Sequence, residues 1–84
     1  MKYCTYVLKS SKNNYIYIGS TQDLANRINL HNNGRVKSTK AYGPWIILEY
    51  KEFKSRSEAV ICERFLKTHQ QKDILKIKHG LVAK

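Results

Sequence analysis

Three short runs of aromatic and β-branched residues alternate along the chain with three stretches whose apolar positions recur every three or four residues. The runs Tyr3–Lys9 and Tyr15–Gly19 read as strands, and the polar turn Ser10–Asn14 between them makes an antiparallel hairpin. Trp45–Phe53 reads as a third strand, entered at Pro44. Simple alternation sends Ile46, Leu48 and Tyr50 to one face, and Trp45, Ile47 and Phe53 to the other with Glu49 and Lys51. Both faces of that strand are therefore expected to be at least partly covered, as in a sheet flanked by helices.

The first helical stripe, Leu24 and Ile28, predicts a helix from about Gln22 or Asp23 to His31, stopped by Asn32-Asn33-Gly34. Ser20 and Thr21 are the expected hydroxyl caps, with Asp23 completing a capping box. Ser55-Arg56-Ser57-Glu58 is a second capping box, opening a helix to about Thr68 with Ala59, Cys62 and Leu66 inward. A last helix spans about Gln70 to Lys78, burying Ile74, Leu75 and Ile77, and Gly80 closes it. The order β-β-α-β-α-α describes one α+β domain over residues 1–84, near the size where a single core just suffices.

Charge narrows the function classes. Sixteen Lys and Arg against six Asp and Glu leave +10, which favours a polyanionic partner, above all nucleic acid. No run approaches the ~18 apolar residues of a membrane span, and no leader pattern opens the chain, so the cytoplasm is the expected site and no membrane partner is expected. Cys4 and Cys62 lack the spacing of a zinc site and are expected to fill core in a reducing compartment. His31, His69 and His79 are too scattered to read as a metal cluster.

Two places carry chemistry. Tyr15-Ile16-Tyr17-Ile18-Gly19 ends in a glycine that permits close approach, and the next helix sets Arg27 and His31 four apart on one face. Tyrosine, arginine and histidine together suit a phosphate. Between that helix and the third strand, Arg35, Lys37 and Lys40 form a basic loop suited to backbone phosphate contact, or simply a solvated surface loop. In the second place, Glu63 falls within the Ala59–Cys62–Leu66 stripe. A carboxylate there is either a stripe-edge residue paired with a nearby cation or a metal ligand facing a cleft.

These residues in this order resemble the GIY-YIG nuclease superfamily, its small single-domain bacterial members above all. The chain is also similar to the N-terminal nuclease domain of the bacterial excision-repair endonuclease and to phage homing endonucleases. Tyr17-Ile18-Gly19 is the YIG half of the name motif, and Cys4-Thr5-Tyr6 stands where GIY belongs. Arg27 falls eight residues after Gly19, where the family has its catalytic arginine. His31-Asn32-Asn33-Gly34, Lys37-Ser38-Thr39-Lys40 and Pro44-Trp45 match segments of the small members, and Glu63 in Glu-Arg-Phe-Leu-Lys matches the metal-binding glutamate.

The resemblance implies a three-stranded antiparallel sheet flanked by helices, and hydrolysis of phosphodiester bonds with one divalent cation, Mg²⁺ or Mn²⁺. It implies Tyr6, Tyr17, Arg27, His31 and Glu63 as catalytic, with Glu63 on the metal, and Gly19, Arg35, Lys37 and Lys40 against nucleic acid. Either tyrosine can be the base. The expected partner is DNA, with RNA also open and a protein partner a further route to target selection. Larger relatives select targets with a second module, so branched, single-stranded or damaged DNA is the expected substrate of a lone domain. The reading from a different class is a basic nucleic-acid-binding module that keeps the fold without the chemistry.

Overall fold

The computed structural model describes residues 2–81. Strands β1 (Tyr3–Ser10) and β2 (Ile16–Thr21) precede helix α1 (Leu24–Asn32) and a 3₁₀ turn at Lys40–Tyr42. Strand β3 (Trp45–Phe53) and helices α2 (Arg56–Leu66) and α3 (His69–Lys78) complete the order β-β-α-β-α-α. All pairing is antiparallel, in the spatial order β2-β1-β3. The expected α+β class, with its three-stranded antiparallel sheet, is therefore the one found.

β1 is central, and this explains its composition. Cys4 through Leu8 are all buried because both faces of the strand are covered. Tyr6 and Leu8 join Trp45 on the α1 face, where Tyr17, Leu24, Ile28 and Tyr42 pack against them. Val7 joins Ile18 and Leu75 on the opposite face, backed by Ile16, Leu48 and Leu66. Thr5, also turned to that side, donates its hydroxyl to the Ala59 carbonyl of α2 at 2.7 Å.

Several expectations change. β3 is an edge strand, and Ile46, Ile47 and Tyr50 are exposed rather than covered. Its register against β1 slips at Leu48, since Val7 faces Glu49 while Leu8 faces Ile47. The bulge puts neighbouring residues on one side: Leu48 packs in the Leu75 cluster while Glu49 bonds Lys78 at the end of α3 and His79 just after it. Simple alternation cannot foresee that. α3 buries Leu75 alone, because Ile74 and Ile77 turn to solvent at 47% and 68% exposure. Helix α2 stops at Leu66, two residues short of the expected end, because the Thr68 hydroxyl caps α3 by accepting from the Gln71 N–H.

The cap of α1 is also reassigned. β2 runs on through Thr21, and Asp23 is itself the cap, its carboxylate accepting from the Asn26 N–H at 3.1 Å. This releases the Ser20 hydroxyl for another partner. At the second box Ser55 caps α2 as expected, accepting from the Glu58 N–H, while the return contact runs from the Ser55 hydroxyl, not its backbone N–H, to the Glu58 carboxylate. Cys4 is buried, Cys62 half-buried, and both are free thiols. No helix among the described residues is long and apolar enough to cross a membrane.

Candidate active site

Tyr6 is the centre of the site. It stands on the middle strand directly opposite Gly19 of β2, and its ring lies across that glycine. A Cβ at position 19 would sit 2.5 Å from the Tyr6 Oη and 2.7 Å from Cζ. The close approach that Gly19 permits is therefore made first by the protein's own tyrosine. Tyr6 is 1% exposed and bonded at its hydroxyl, so it has nowhere to retreat. Gly19→Ala is expected to cost about 1–3 kcal/mol of stability through overpacking. Any activity that depends on the Tyr6 phenol should fall further than the folded fraction, because that phenol is the group displaced. Thermal melts and rates on one preparation test this, and an alanine variant with wild-type values of both removes the constraint.

The Tyr6 hydroxyl lies 3.0 Å from His31 Nε2, and His31 Nδ1 lies 2.8 Å from the Thr39 hydroxyl. Thr39 directs its own hydrogen to the Val36 carbonyl, so it accepts from Nδ1–H. That leaves Nε2 bare and facing the Tyr6 O–H. Burial, then the nearby positive charge of Arg27, lowers the His31 pKa and keeps the ring neutral. The backbone N–H of Asn33 caps the end of α1, and Gly34 follows at φ +70°.

Arg27 stands one turn before His31, and its guanidinium lies beside the phenols of Tyr6 and Tyr17. Burial raises the Tyr6 pKa, while the nearby Arg27 guanidinium opposes that rise by favouring a phenolate. The Arg27 Nε–H is buried and has no hydrogen-bond partner among the described residues. A buried donor left unpaired is costly unless a ligand completes it. The Tyr17 ring, partly exposed, stands 4.9 Å from His31 and 6.3 Å from Tyr6.

Glu63 joins from α2. Its Oε1 accepts from the Ser20 hydroxyl and its Oε2 from Lys67 Nζ, both at 2.6 Å. The carboxylate is thus partnered at the edge of its stripe rather than stranded within it. Partial burial favours its neutral form, but the bonds from Lys67 and Ser20 outweigh this and lower its pKa. Its negative charge is near enough to help keep Tyr6 protonated. Among the described residues no three His, Cys, Asp or Glu side chains gather around a common point. One ionised carboxylate beside a hydroxyl still fits a hard cation that takes its other ligands from water and phosphate.

Arg35 and Lys37 are exposed on the connection after α1, and Lys40 is exposed on the 3₁₀ turn. Thr39 between them is buried, bonds His31, and accepts from the Trp45 indole N–H at its carbonyl. The basic segment is therefore tied to the Tyr6–His31 pair. Ser20 and Thr39 are the two site residues the sequence does not reveal. Their partners lie 43 and eight residues away, with no local pattern linking them.

The family described as the GIY-YIG catalytic domain matches residues 2–78. A UPF0213 protein of Listeria monocytogenes is 41% identical over 81% of this chain and 76% of its own length. Another, from Staphylococcus haemolyticus, is 35% identical over 90% of this chain and 93% of its own. The solution structure of the UPF0213 protein BH0048 from Bacillus halodurans is similar at TM-score 0.55 and 29% identity, covering 89% of this chain and 82% of that one. The chain belongs to the GIY-YIG nuclease family.

Proposed function

We propose that the protein is a metal-dependent endonuclease that hydrolyses phosphodiester bonds in DNA. The observation that carries this reading is the Arg27 Nε–H, buried and unpartnered beside two tyrosine phenols. A phosphate oxygen entering there would complete a donor that the protein leaves incomplete. A planar, permanently charged guanidinium also suits the charge that gathers on phosphoryl oxygens during displacement.

Tyr6 is the better placed of the two tyrosines to be the base, because His31 Nε2 can receive its proton. As a water attacks phosphorus, the phenol oxygen takes the water's proton and passes its own to Nε2. The new P–O bond forms as the bond to the leaving oxygen breaks, and solvent protonates that oxygen. Thr39 holds the imidazole in the tautomer that can accept. Tyr17, partly exposed, borders the entering phosphate. Glu63 would hold a divalent cation, Mg²⁺ or Mn²⁺, with waters and phosphate oxygens as its other ligands. When bound, such an ion polarises the phosphate and neutralises the leaving oxygen. Gly19, Arg35, Lys37 and Lys40 complete the nucleic-acid surface. Branched, single-stranded or damaged DNA in repair or recombination is the substrate we infer, acted on in the cytoplasm, with a protein partner as a second means of target selection.

The test is incubation with single-stranded, duplex and branched DNA, and with RNA, in Mg²⁺ or Mn²⁺ and then in EDTA. Cleavage is expected with metal and none with chelator. Tyr6→Phe should keep the fold and lose at least about a hundredfold in rate, the usual reach of a general base. Because His31 must be neutral to accept, the wild-type rate should fall as acid protonates it, with the midpoint below the usual histidine range. Tight binding without cleavage of any substrate would instead favour the non-catalytic module.

A further inference from the structure

On the α1 face the aromatic side chains continue beyond the reacting groups. Tyr17 lies 6.3 Å from Trp45, and Tyr42 packs on the same cluster. Tyr15 meets Tyr42 edge-on, with centroids 4.7 Å apart and planes at 75°. Tyr15 is therefore the outer end of an aromatic row that begins at Tyr6, and it is 53% exposed.

The backbone at Tyr15 is held as well. Its N–H donates to the Asn13 side chain and its carbonyl accepts from the Ser10 N–H, both at 2.9 Å. Ser10, fully buried, holds the other member as well, its hydroxyl donating to the Tyr42 carbonyl at 2.7 Å. A ring set edge-on against Tyr42, on backbone held at these points and with open area, offers a stacking surface at a reduced entropy cost of ordering it. The chain flanking it carries charge of one sign outside Asp23. No Asp or Glu occurs in residues 1–22 or 24–48, whereas Lys12 in the hairpin turn and Lys40 on the 3₁₀ turn are both exposed.

We propose that Tyr15, braced by Tyr42, is a stacking subsite for an unpaired nucleobase next to the scissile phosphate. Its position beside that phosphate rests on the nuclease reading. Tyr15 and Tyr17 are two residues apart in nearly extended chain, about 6.6 Å. That span matches about two stacked nucleotides at ~3.4 Å each. In a duplex the base faces are covered by their neighbours, so the subsite favours unpaired DNA or RNA over paired.

The experiment measures anisotropy of a labelled single-stranded DNA oligomer, its RNA counterpart and the DNA duplex, all in EDTA so that nothing is cut. Tyr15→Ala should weaken single-strand binding about five- to a hundredfold, as loss of one stacked base does. Duplex affinity should stay within about twofold. Tyr15→Phe, which keeps the ring, should bind like the wild type. An abasic site scanned along the oligomer should reproduce the loss at one position and add nothing to Tyr15→Ala. An effect on DNA alone or on RNA alone assigns the natural strand. The proposal is overturned if the wild type binds no single strand, if Tyr15→Ala leaves binding unchanged, or if duplex affinity falls equally. It is also overturned if Tyr15→Phe loses as much as Tyr15→Ala. Should no substrate be cleaved while the Tyr15 effect persists, the nuclease reading fails and the stacking surface stands. Cleavage with unaltered Tyr15→Ala binding does the reverse, keeping the nuclease and removing the subsite.

Discussion

Arg27→Lys is expected to lower the cleavage rate by about a hundred- to a thousandfold, the loss seen when one preorganised donor to a developing charge is removed. Lysine keeps the positive charge but not the planar fork, and it has no donor where the buried Nε–H stands. The loss should fall on kcat as well as on kcat/KM, since the contact strengthens as charge builds on the phosphoryl oxygens. Thermal stability should change little, because that Nε–H makes no hydrogen bond within the described residues for folding to lose. Arg27→Gln removes the charge altogether and carries a pH signature. The arginine lowers the His31 pKa and, by its proximity, restrains the burial-driven rise at Tyr6. Without it both groups should titrate higher, moving the pH–rate profile upward. A lysine variant that cleaves at the wild-type rate would remove Arg27 from the chemistry.

Glu63→Gln is expected to reduce Mg²⁺-dependent cleavage at least about a hundredfold, given the several kcal/mol a cation supplies to phosphoryl charge. Read from its apolar stripe alone, the same change is expected to leave folding unharmed or slightly improved, by removing a desolvated charge. The pairing with Ser20 and Lys67 reverses the sign of that small effect. The Lys67 pair is partly exposed, so its loss should cost no more than about 1 kcal/mol. The carboxylate's folded pKa lies below its ordinary value, so its contribution is present above the unfolded pKa. It is lost as pH falls through the folded pKa. The Gln variant should lack that acid-side decline. Nucleic-acid binding without metal should stay equal or tighten, one negative charge near the phosphate having gone. Melting curves from acid to neutral pH, with rates on the same preparation, separate the two roles of Glu63. A destabilised variant that still cleaves would make it a structural partner of Lys67 and nothing more.

What the sequence by itself determined is whatever depends on near neighbours along the chain. Element order, the hairpin, the Ser55 capping box and the shared face of Arg27 and His31 follow from spacings of two to four residues, the periods of strand and helix. The family resemblance is of the same kind, a set of short motifs in fixed order. Only the tertiary structure decided which strand is central, because burial on both faces depends on neighbours that no local period encodes. It decided the bulge at Leu48, which arises from pairing two strands distant in the chain and turns Glu49 toward α3. It decided that Ser20 serves Glu63 rather than capping α1, since an aspartate three residues on took the cap and freed the hydroxyl. Above all it decided the state of His31, whose position the helix period gives. Its neutrality and tautomer come from burial and from Thr39, carried back to it by a loop whose path no periodicity describes.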